Sequence, residues 1–431
     1  MLRRSRALVD PVTIYLDGEP VPAERGEPLA VSLLASDIVT LARSPKLHRP
    51  RGPSCLRGAC DGCLARVDGE PNVMTCLRRA RGGERIETQN VVGSRKSDLL
   101  RVTDWFFPNG MDHHHFLAGV PGLSEVMQSV ARKVAGLGRV PSEPLAPRPA
   151  RRLEADVAVI GAGPSGIAAA SKLRAAGLSV CLVDDQGEPG GSLRALPGRM
   201  SEVLSRNPLE GVLVLSESVA AGVYLGEVLI APELGASLAA GDGVGASVLR
   251  ARAKVFATGA HDGVIAAPNN DLPGIFSARA LCRLMAGGVD VGGPVALVGE
   301  GFWADELSRV LGDRVAVRVP ASDLARIKGT SRVKGVSVKS GSKTRSIEVA
   351  LVAFEAPASP SFEVAAQAGA SVRYAPRIGY EVEVDERGRA GEGVWAVGEC
   401  TGRAFHPEAF ESDAAMIADD VVQWLRAPVA P

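Results

Sequence analysis

Four cysteines of the chain follow a spacing that suits iron–sulfur chemistry. Cys55, Cys60 and Cys63 lie within one short loop, and Cys76 follows 13 positions after Cys63. The C-x4-C-x2-C run is typical of the loop that wraps a [2Fe–2S] cluster through cysteine thiolates. Zinc is the alternative metal, but zinc sites favour paired C-x2-C knuckles, and the chain has one such pair. The spacing therefore predicts that these four cysteines bind a [2Fe–2S] cluster.

A second chemical motif is the glycine-rich turn G-x-G-x-x-G at residues 161–166. It follows a strand-like run, 156–160, and leads directly into an alanine-rich helix. In such a turn the first glycine makes the bend, the second lets a pyrophosphate reach the backbone, and the third lets helix and strand pack closely. Free N–H groups at the helix start would hold the phosphates. The predicted dinucleotide-binding residues here are Gly161, Gly163, Pro164, Ser165 and Gly166.

Further candidate cofactor contacts follow at the ends of later strands. Asp184 ends a predicted strand, 178–183, where an acid can bind a ribose hydroxyl, and Asp185 is its less favoured neighbour. Three small-residue turns come later in the chain, at places where the backbone must pass close to a dinucleotide. Their candidate residues are Gly190, Gly191 and Ser192, then Thr258 and Gly259, and finally Gly398 and Glu399.

Composition limits the class of protein. Lys and Arg together number 49, as do Asp and Glu, so no net charge points to nucleic acid or a membrane surface. No run of about 18 uninterrupted apolar residues predicts a transmembrane helix. The seven cysteines form an odd set in a large chain without a signal-peptide pattern. We therefore expect reduced thiols and a cytoplasmic location.

The motifs divide the chain into five predicted segments. Alternating apolar residues and hairpin turns predict a β-rich cluster domain, in which Gly58 and Gly62 would adopt positive φ. A connector then holds three adjacent histidines at 113–115, which suit a polar loop better than a metal site, and it ends in a proline-rich linker. The segments are 1–106 (cluster domain), 107–152 (connector and linker), 153–290 (first part of the main dinucleotide-binding domain), 291–350 (second nucleotide unit) and 351–431 (return to the main dinucleotide-binding domain).

The second nucleotide unit is poorer in its motif than the first. Gly299 and Gly301 follow a strand, but the bulky Phe302 and Trp303 come next. The following strand carries Arg318 and no acid, and an arginine there could meet the 2′-phosphate of a dinucleotide. The other interpretation, which the weak motif favours, is a structural or vestigial half.

Taken together, these landmarks resemble the glutathione-reductase type of flavoprotein, with two dinucleotide-binding domains. The details resemble more closely the α subunit of heterotetrameric sarcosine oxidase and the related subunits of opine, proline and hydroxyproline dehydrogenases. Residues 46–52, 135–138 and 270–276 look like signatures of that family. The resemblance implies an α/β fold with two dinucleotide-binding domains, preceded by a small β-grasp, ferredoxin-like α+β domain.

Four departures from these families change what the resemblance implies. All four cluster cysteines are present in this chain, whereas the sarcosine oxidase α subunit has a cysteine-free ferredoxin-like domain. The redox dithiol of glutathione reductase is missing after Gly191, so disulfide reduction is not expected. The last glycine turn carries Glu399 where aspartate is usual. We also expect no folate-coupled step, because the chain stops at Pro431, before the folate-binding half.

The resemblance implies a [2Fe–2S] cluster and FAD, with NAD possible in its place or in addition. It implies an oxidoreductase subunit that relays electrons from an amine or imino acid, of the sarcosine, proline, hydroxyproline or opine type, to an acceptor. An FAD-dependent amine-oxidase-like β subunit would be its partner. The alternatives are a self-sufficient NAD(P)H:acceptor reductase and a non-catalytic dinucleotide-binding scaffold. No clear catalytic base is identified; His261 is the best lone candidate.

Overall fold

A computed structural model describes most of the chain and divides it into two compact units. One unit comprises Met1–Pro144 and Ile265–Glu355, and the other Leu145–Val264 and Ala356–Pro431. The predictions for Lys46, for 113–115 and for 135–138 lie outside the described residues, as does most of the predicted connector and linker, 107–152. The described residues are 2–44, 47–91, 93–95, 98–99, 125–126, 129, 149–232 and 245–427.

The first unit contains the cluster domain, whose five-stranded sheet has the predicted β-grasp form. Two antiparallel hairpins flank a short strand, Arg85–Glu87, which runs parallel to Pro11–Leu16. Asp17 and Gly18 connect the first hairpin with φ of 50° and 88°, as a type I′ turn requires. In sheet order the strands are Glu19–Glu24, Pro11–Leu16, Arg85–Glu87, Leu64–Val67 and Glu70–Met74.

One helix, Leu29–Ala35, supplies the α part of the cluster domain. The helix ends at Ala35, because Asp37, two residues later, takes φ 56° and so ends the α conformation. Leu29, Leu33 and Leu34 are fully buried, so this helix packs its apolar side into the domain core.

The second nucleotide unit lies in the same compact unit as the cluster domain. Its four-stranded parallel sheet is formed, in order, by Ile275–Ser277, Leu351–Phe354, Val295–Val298 and Val315–Val319. Residues 265–290 and 351–355 therefore group with this unit, whereas the sequence assigned them to the main dinucleotide-binding domain. The strand Ile275–Ser277 explains the difference, because its only ladder partner in the described chain is Leu351–Phe354. The helices are Ala278–Ala286 and Phe302–Leu311, and an antiparallel sheet of Leu324–Gly329, Val333–Ser340 and Lys343–Glu348 is appended.

The second compact unit is built on an eight-stranded sheet with a parallel centre. The central strands are long and β-branched, and their inner ends are fully buried, as strands covered on both faces must be. The strands in order are Leu213–Leu215, Val180–Val183, Arg151–Ile160, Ser247–Phe256, Glu227–Pro232 and Ser218–Tyr224, with Val394–Ala396 beside Ser247–Phe256 and Arg389–Gly391 beside it in turn. The helices are Pro164–Ala175, Pro197–Arg206, Glu363–Gln367 and Pro407–Arg426.

Short elements complete the described chain. Among the described residues, no helix combines the length and the apolar character needed to cross a bilayer. The two-stranded pairs are Leu2–Arg4 with Val289–Val291, Ala42–Arg43 with Pro50–Arg51, Ala260–His261 with Ser359–Pro360, and Val372–Ala375 with Gly379–Val382. The 3₁₀ turns are Gly191–Ala195, Gly312–Arg314, Ala321–Asp323 and Glu399–Thr401.

A buried carboxylate ties the C-terminal helix to the eight-stranded sheet. Asp420 is 5% exposed and accepts hydrogen bonds from Trp395 Nε1 at 2.9 Å and from Arg389 Nε at 2.5 Å. The hydrogen bond from Arg389 lowers the pKa of Asp420. The stabilisation is therefore complete above the carboxyl pKa of the unfolded chain, about 3.9, and is lost only as the pH falls through the lower folded value.

We predict that Asp420→Ala lowers the free energy of unfolding by about 3 kcal/mol, because it leaves Arg389 and the Trp395 indole without their shared acceptor. Asp419→Ala is the matched control, since the neighbouring Asp419 forms an exposed ion pair with Lys172 and its loss should cost less than about 1 kcal/mol. Urea unfolding followed by tryptophan fluorescence at neutral pH measures both. Equal midpoints for the two variants would contradict the prediction.

Candidate functional site

The four cluster cysteines lie in two close pairs. The Cys55 and Cys60 sulfurs are 3.4 Å apart, and the Cys63 and Cys76 sulfurs are 3.3 Å apart. A disulfide would need about 2.05 Å, and all seven cysteines of the chain are free thiols. Two thiolates on one tetrahedral metal ion lie about 3.7 Å apart, for metal–sulfur bonds of about 2.3 Å. The pairs thus suit two metal ions with two thiolates each, as in a [2Fe–2S] cluster.

Backbone N–H groups point at these sulfurs. Ala59 donates to Cys55 Sγ and Gly58 donates to Cys76 Sγ, both at 3.3 Å. Hydrogen bonds of this kind stabilise thiolate charge and help to set the potential of a cluster. In the described part of the chain, no three His, Cys, Asp or Glu side chains surround a single metal position.

The loop depends on its two glycines in different ways. Gly58 has φ 77°, as predicted. The prediction for Gly62 was wrong, because its φ is not positive. Gly62 is instead required by close packing, since a Cβ there would lie 2.0 Å from the Gly52 carbonyl oxygen.

Within each cysteine pair, the pKa of one thiol is lowered and the pKa of the other is raised. The hydrogen bond from Cys55 lowers the pKa of Cys60 to about 6, against the effect of burial, and the hydrogen bond between Cys63 and Cys76 lowers the pKa of Cys63. The pKa values of Cys55 and Cys76 are raised by the same hydrogen bonds and by burial. Cys60 is therefore the more acidic thiol of the first pair and Cys63 that of the second, and metal binding must displace the protons that remain on the sulfurs.

The first glycine turn brings the cofactor loop against the sheet. Gly161 has φ 101°, and a Cβ on it would lie 2.3 Å from the Ala257 carbonyl oxygen. A Cβ on Gly166 would lie 1.8 Å from the Gly161 carbonyl oxygen. These two glycines are therefore required by the fold itself. The helix Pro164–Ala175 starts here with proline in its first turn. The first N–H groups of a helix have no partner within the helix, so the others in this turn are available to a ligand.

Gly163 differs, because a Cβ there would meet no protein atom within 4 Å and its φ is −71°. The space above Gly163 is where a pyrophosphate would approach the backbone. This open cradle at the helix N-terminus fits the diphosphate of FAD.

Asp184 is buried at the end of its strand and shapes the glycine turn. Its Oδ2 accepts from the Ala162 N–H at 2.5 Å, and its Oδ1 accepts from the Gln186 N–H at 2.9 Å. Asp185 is exposed and accepts instead from the Gln186 side chain. The structure thus places Asp184, and not its neighbour, beside the turn.

The later turns converge on the same place in this unit. The Gly190 N–H donates to the Ala162 carbonyl at 2.7 Å, and a Cβ on Gly191 would lie 2.9 Å from Gly163 Cα. A Cβ on Gly398 would lie 2.9 Å from Ser165 Oγ. The remaining predicted residues are buried or partly buried in these turns: Pro164, Ser192, Thr258, Gly259 and Glu399.

One residue of this region was missed from the sequence. The Ser361 N–H donates to the Gly259 carbonyl at 3.0 Å, and Thr258 Oγ1 donates to the Ser361 carbonyl at 2.5 Å. The Ser361 hydroxyl is also 3.3 Å from His261 Nε2. Ser361 carries no motif and is a hundred residues away in the chain, so no local pattern could reveal it.

The second nucleotide unit has the same glycine turn, but a side chain of the chain itself fills the start of its helix. The Glu355 carboxylate lies at the start of the helix Phe302–Leu311, where Oε2 accepts from the Ala304 N–H at 2.5 Å. A Cβ on Gly301 would lie 2.5 Å from Glu355 Oε1. Burial raises the pKa of Glu355. Arg318, the candidate for a 2′-phosphate, pairs instead with Asp305 at 2.6 Å. An internal carboxylate thus takes the position that phosphates occupy in such turns.

Two family models match the chain over these sites. Residues 9–91 match a 2Fe-2S iron-sulfur cluster binding domain, and residues 156–207 match FAD dependent oxidoreductases. These ranges contain all four paired cysteines and the open glycine turn. The predicted cofactor classes, a [2Fe–2S] cluster and FAD, are confirmed by these matches.

Relatives agree with this class of flavoprotein. The chain is 31% identical to the alpha subunit of sarcosine oxidase from Rhizobium meliloti (strain 1021), over 64% of this chain and 31% of that protein. It is 33% identical to an opine oxidase subunit from Agrobacterium tumefaciens (strain Ach5), over 34% of this chain and 32% of that protein. The chain thus spans about a third of the length of these curated relatives. The resemblance predicted from the sequence is confirmed.

A solved structure supports the fold. L-proline dehydrogenase from P. horikoshii superposes with a TM-score of 0.71 at 22% identity, covering 98% of this chain and 75% of that one. The predicted α/β flavoprotein fold, preceded by a ferredoxin-like domain, is confirmed.

We predict that Gly163→Ala weakens FAD binding at least tenfold without changing the unfolding midpoint of the flavin-free chain, because the added methyl group fills only the space for the pyrophosphate. Gly198→Ala is the matched control, since its Cβ also meets no atom within 4 Å and it lies within the helix Pro197–Arg206. Flavin retained per chain and the FAD dissociation constant measure the effect. Full FAD affinity in Gly163→Ala would place the dinucleotide elsewhere.

Proposed function

We propose that this chain is the FAD- and [2Fe–2S]-containing subunit of an oxidoreductase complex that oxidises an amine or imino acid. The substrate would be of the sarcosine, proline, hydroxyproline or opine type, and the electrons would pass to a separate acceptor. The observation that carries the proposal is the presence of paired cluster thiols and an open dinucleotide turn in one chain. The names of the relatives, sarcosine oxidase and opine oxidase, support the substrate class.

The two cofactors supply complementary chemistry when bound, since a flavin handles electron pairs and a [2Fe–2S] cluster handles single electrons. The residues of this chain hold and tune them. Cys55, Cys60, Cys63 and Cys76 are the proposed cluster ligands, and their N–H partners offset the thiolate charge. Gly161, Gly163 and Gly166 would hold FAD, with the helix start facing its diphosphate.

The amine-oxidising step is assigned to a partner subunit of the FAD-dependent amine-oxidase type. The base candidate from the sequence, His261, is exposed and lies 3.3 Å from the Ser361 hydroxyl. An exposed imidazole does not provide the water-excluded site in which electrostatic interactions with a reacting substrate become strong. We propose that the complex works in the cytoplasm, which suits the seven free thiols.

Glu355 argues against the alternative of a self-sufficient NAD(P)H:acceptor reductase. Its carboxylate accepts from the Ala304 and Trp303 N–H groups at the start of the helix, which would otherwise bind the phosphates of a nicotinamide dinucleotide. The scaffold alternative is disfavoured by the four cluster thiols, because a structural role needs no redox group.

The test is to purify the chain alone and together with an amine-oxidase-like protein from a neighbouring reading frame. Sarcosine, L-proline, hydroxyproline and an opine are then supplied with an artificial electron acceptor. We expect turnover by the complex with at least one of these substrates and none by the chain alone. Turnover by the isolated chain, or a complex inactive with all of them, would contradict the proposal.

We also predict that NADH and NADPH do not bleach the flavin of the purified chain on a timescale of seconds. Stopped-flow absorbance measures this. Glu355→Ala should bind NAD(P)H measurably, because the helix start becomes free, whereas the control Glu348→Ala removes an exposed carboxylate of the same unit and should not. Rapid bleaching of the wild-type flavin would favour the reductase alternative.

A further inference from the structure

The residue that follows the first cluster cysteine is held in a strained conformation. Leu56 has φ 52°, although it is not glycine, and its side chain is buried. A bulky residue rarely adopts this left-handed region, because its Cβ crowds the backbone. Such strain persists only when the surroundings impose it. The conformation of Leu56 therefore needs an external support.

Residues of the second nucleotide unit provide that support, and they bind the backbone both before and after Cys55. The Ser277 N–H donates to the Ser54 carbonyl at 3.0 Å, and Arg283 Nη1 donates to the Leu56 carbonyl at 3.2 Å. The two donors lie at the start and near the end of one helix, Ala278–Ala286. The peptide units before and after Cys55 are thus bound to a single rigid element.

The same helix is itself firmly placed. Ser277 Oγ caps it by accepting from the Ala280 N–H at 3.0 Å. Nearby, a Cβ on Gly52 would lie 3.1 Å from Pro273 Cβ, so the approach to the cysteine loop is closely packed against the segment before the helix. Cys55 is therefore positioned by residues more than 200 positions away.

We propose that Arg283 is a positioning residue that holds the Cys55 side of the cluster loop and raises the reduction potential of the cluster. This inference rests on the proposed function, because it requires the four thiols to bind a [2Fe–2S] cluster. It gives the second nucleotide unit a role as the support of the iron–sulfur loop, in place of the dinucleotide site that Glu355 fills.

The electrostatic reason is the permanent charge of Arg283. A guanidinium remains protonated at all relevant pH values. Four thiolates make the occupied site anionic, and an added electron increases that negative charge. A fixed cation beside the Cys55 ligand therefore favours the reduced state, and its removal should lower the potential.

The experiment compares the full-length holoprotein with Arg283→Met and Arg283→Lys by EPR-monitored redox titration, with iron and labile sulfide measured per chain. We expect Arg283→Met to shift the reduction equilibrium about tenfold toward the oxidised form, which is about 59 mV for one electron. Arg283→Lys should shift it less, because it keeps the charge. Arg314→Met is the control, since Arg314 also donates to a backbone carbonyl, that of Val291, in the same unit.

A second variant keeps the test decisive if Arg283→Met loses its cluster. Leu56→Gly removes the strain, so the double variant should regain iron and sulfide and still show the lowered potential. Failure of the double variant to regain the cluster would overturn the positioning role. A wild-type potential in Arg283→Met or in the double variant would overturn the electrostatic role.

Failure of the proposed function has a different signature. Wild-type protein without iron and labile sulfide, or Cys60→Ser protein with an unchanged EPR spectrum, would overturn the cluster itself. A normal cluster in the wild type, with no effect of Arg283→Met, would overturn only the inference about Arg283.

Discussion

Close contact between main-chain atoms at the end of the central strands determines where the eight-stranded sheet has room for a ligand. Gly161 and Gly166 lie so near to other main-chain atoms that no side chain fits at either position. This contact brings the glycine turn, the start of its helix and the turn after Phe256 to one edge of the sheet. Because two of the glycines are used for packing, the third, Gly163, can be left open for a ligand. The open space at Gly163 thus follows from the close packing of Gly161 and Gly166.

The two nucleotide units show how one turn geometry can have opposite outcomes. In both units a glycine with positive φ follows a buried strand and precedes a helix. In the first, the acid at the end of the next strand, Asp184, bonds to the turn from the side and leaves the helix start open. In the second, Glu355 reaches the helix start itself. The position of one carboxylate therefore decides whether the start of the helix is open or is filled by the chain itself.

The sequence was sufficient for features whose parts are close in the chain. The cysteine loop, the hairpin turns and the strand–turn–helix that begins with 156–160 are local, and the sequence predicts each of them. Glu355, Ser361 and Arg283 act on residues 51 to 227 positions away. No periodicity or motif marks them, because their role depends on which strands become neighbours. Gly62 was misread for the same reason, since its neighbour, the Gly52 carbonyl, is set by loop packing and not by local φ.

The N-terminal strand has a consequence for how this protein is made. Leu2–Arg4 pairs with Val289–Val291, so residues 2–4 complete a sheet with residues that leave the ribosome much later. At about 5–20 residues per second, the ribosome needs roughly 10 to 40 seconds to proceed from the end of the cluster domain to that strand. During this interval the cysteine loop also lacks the helix that supports Cys55. Iron–sulfur assembly in the cell would therefore be timed by translation, with stable insertion only after the second nucleotide unit has formed.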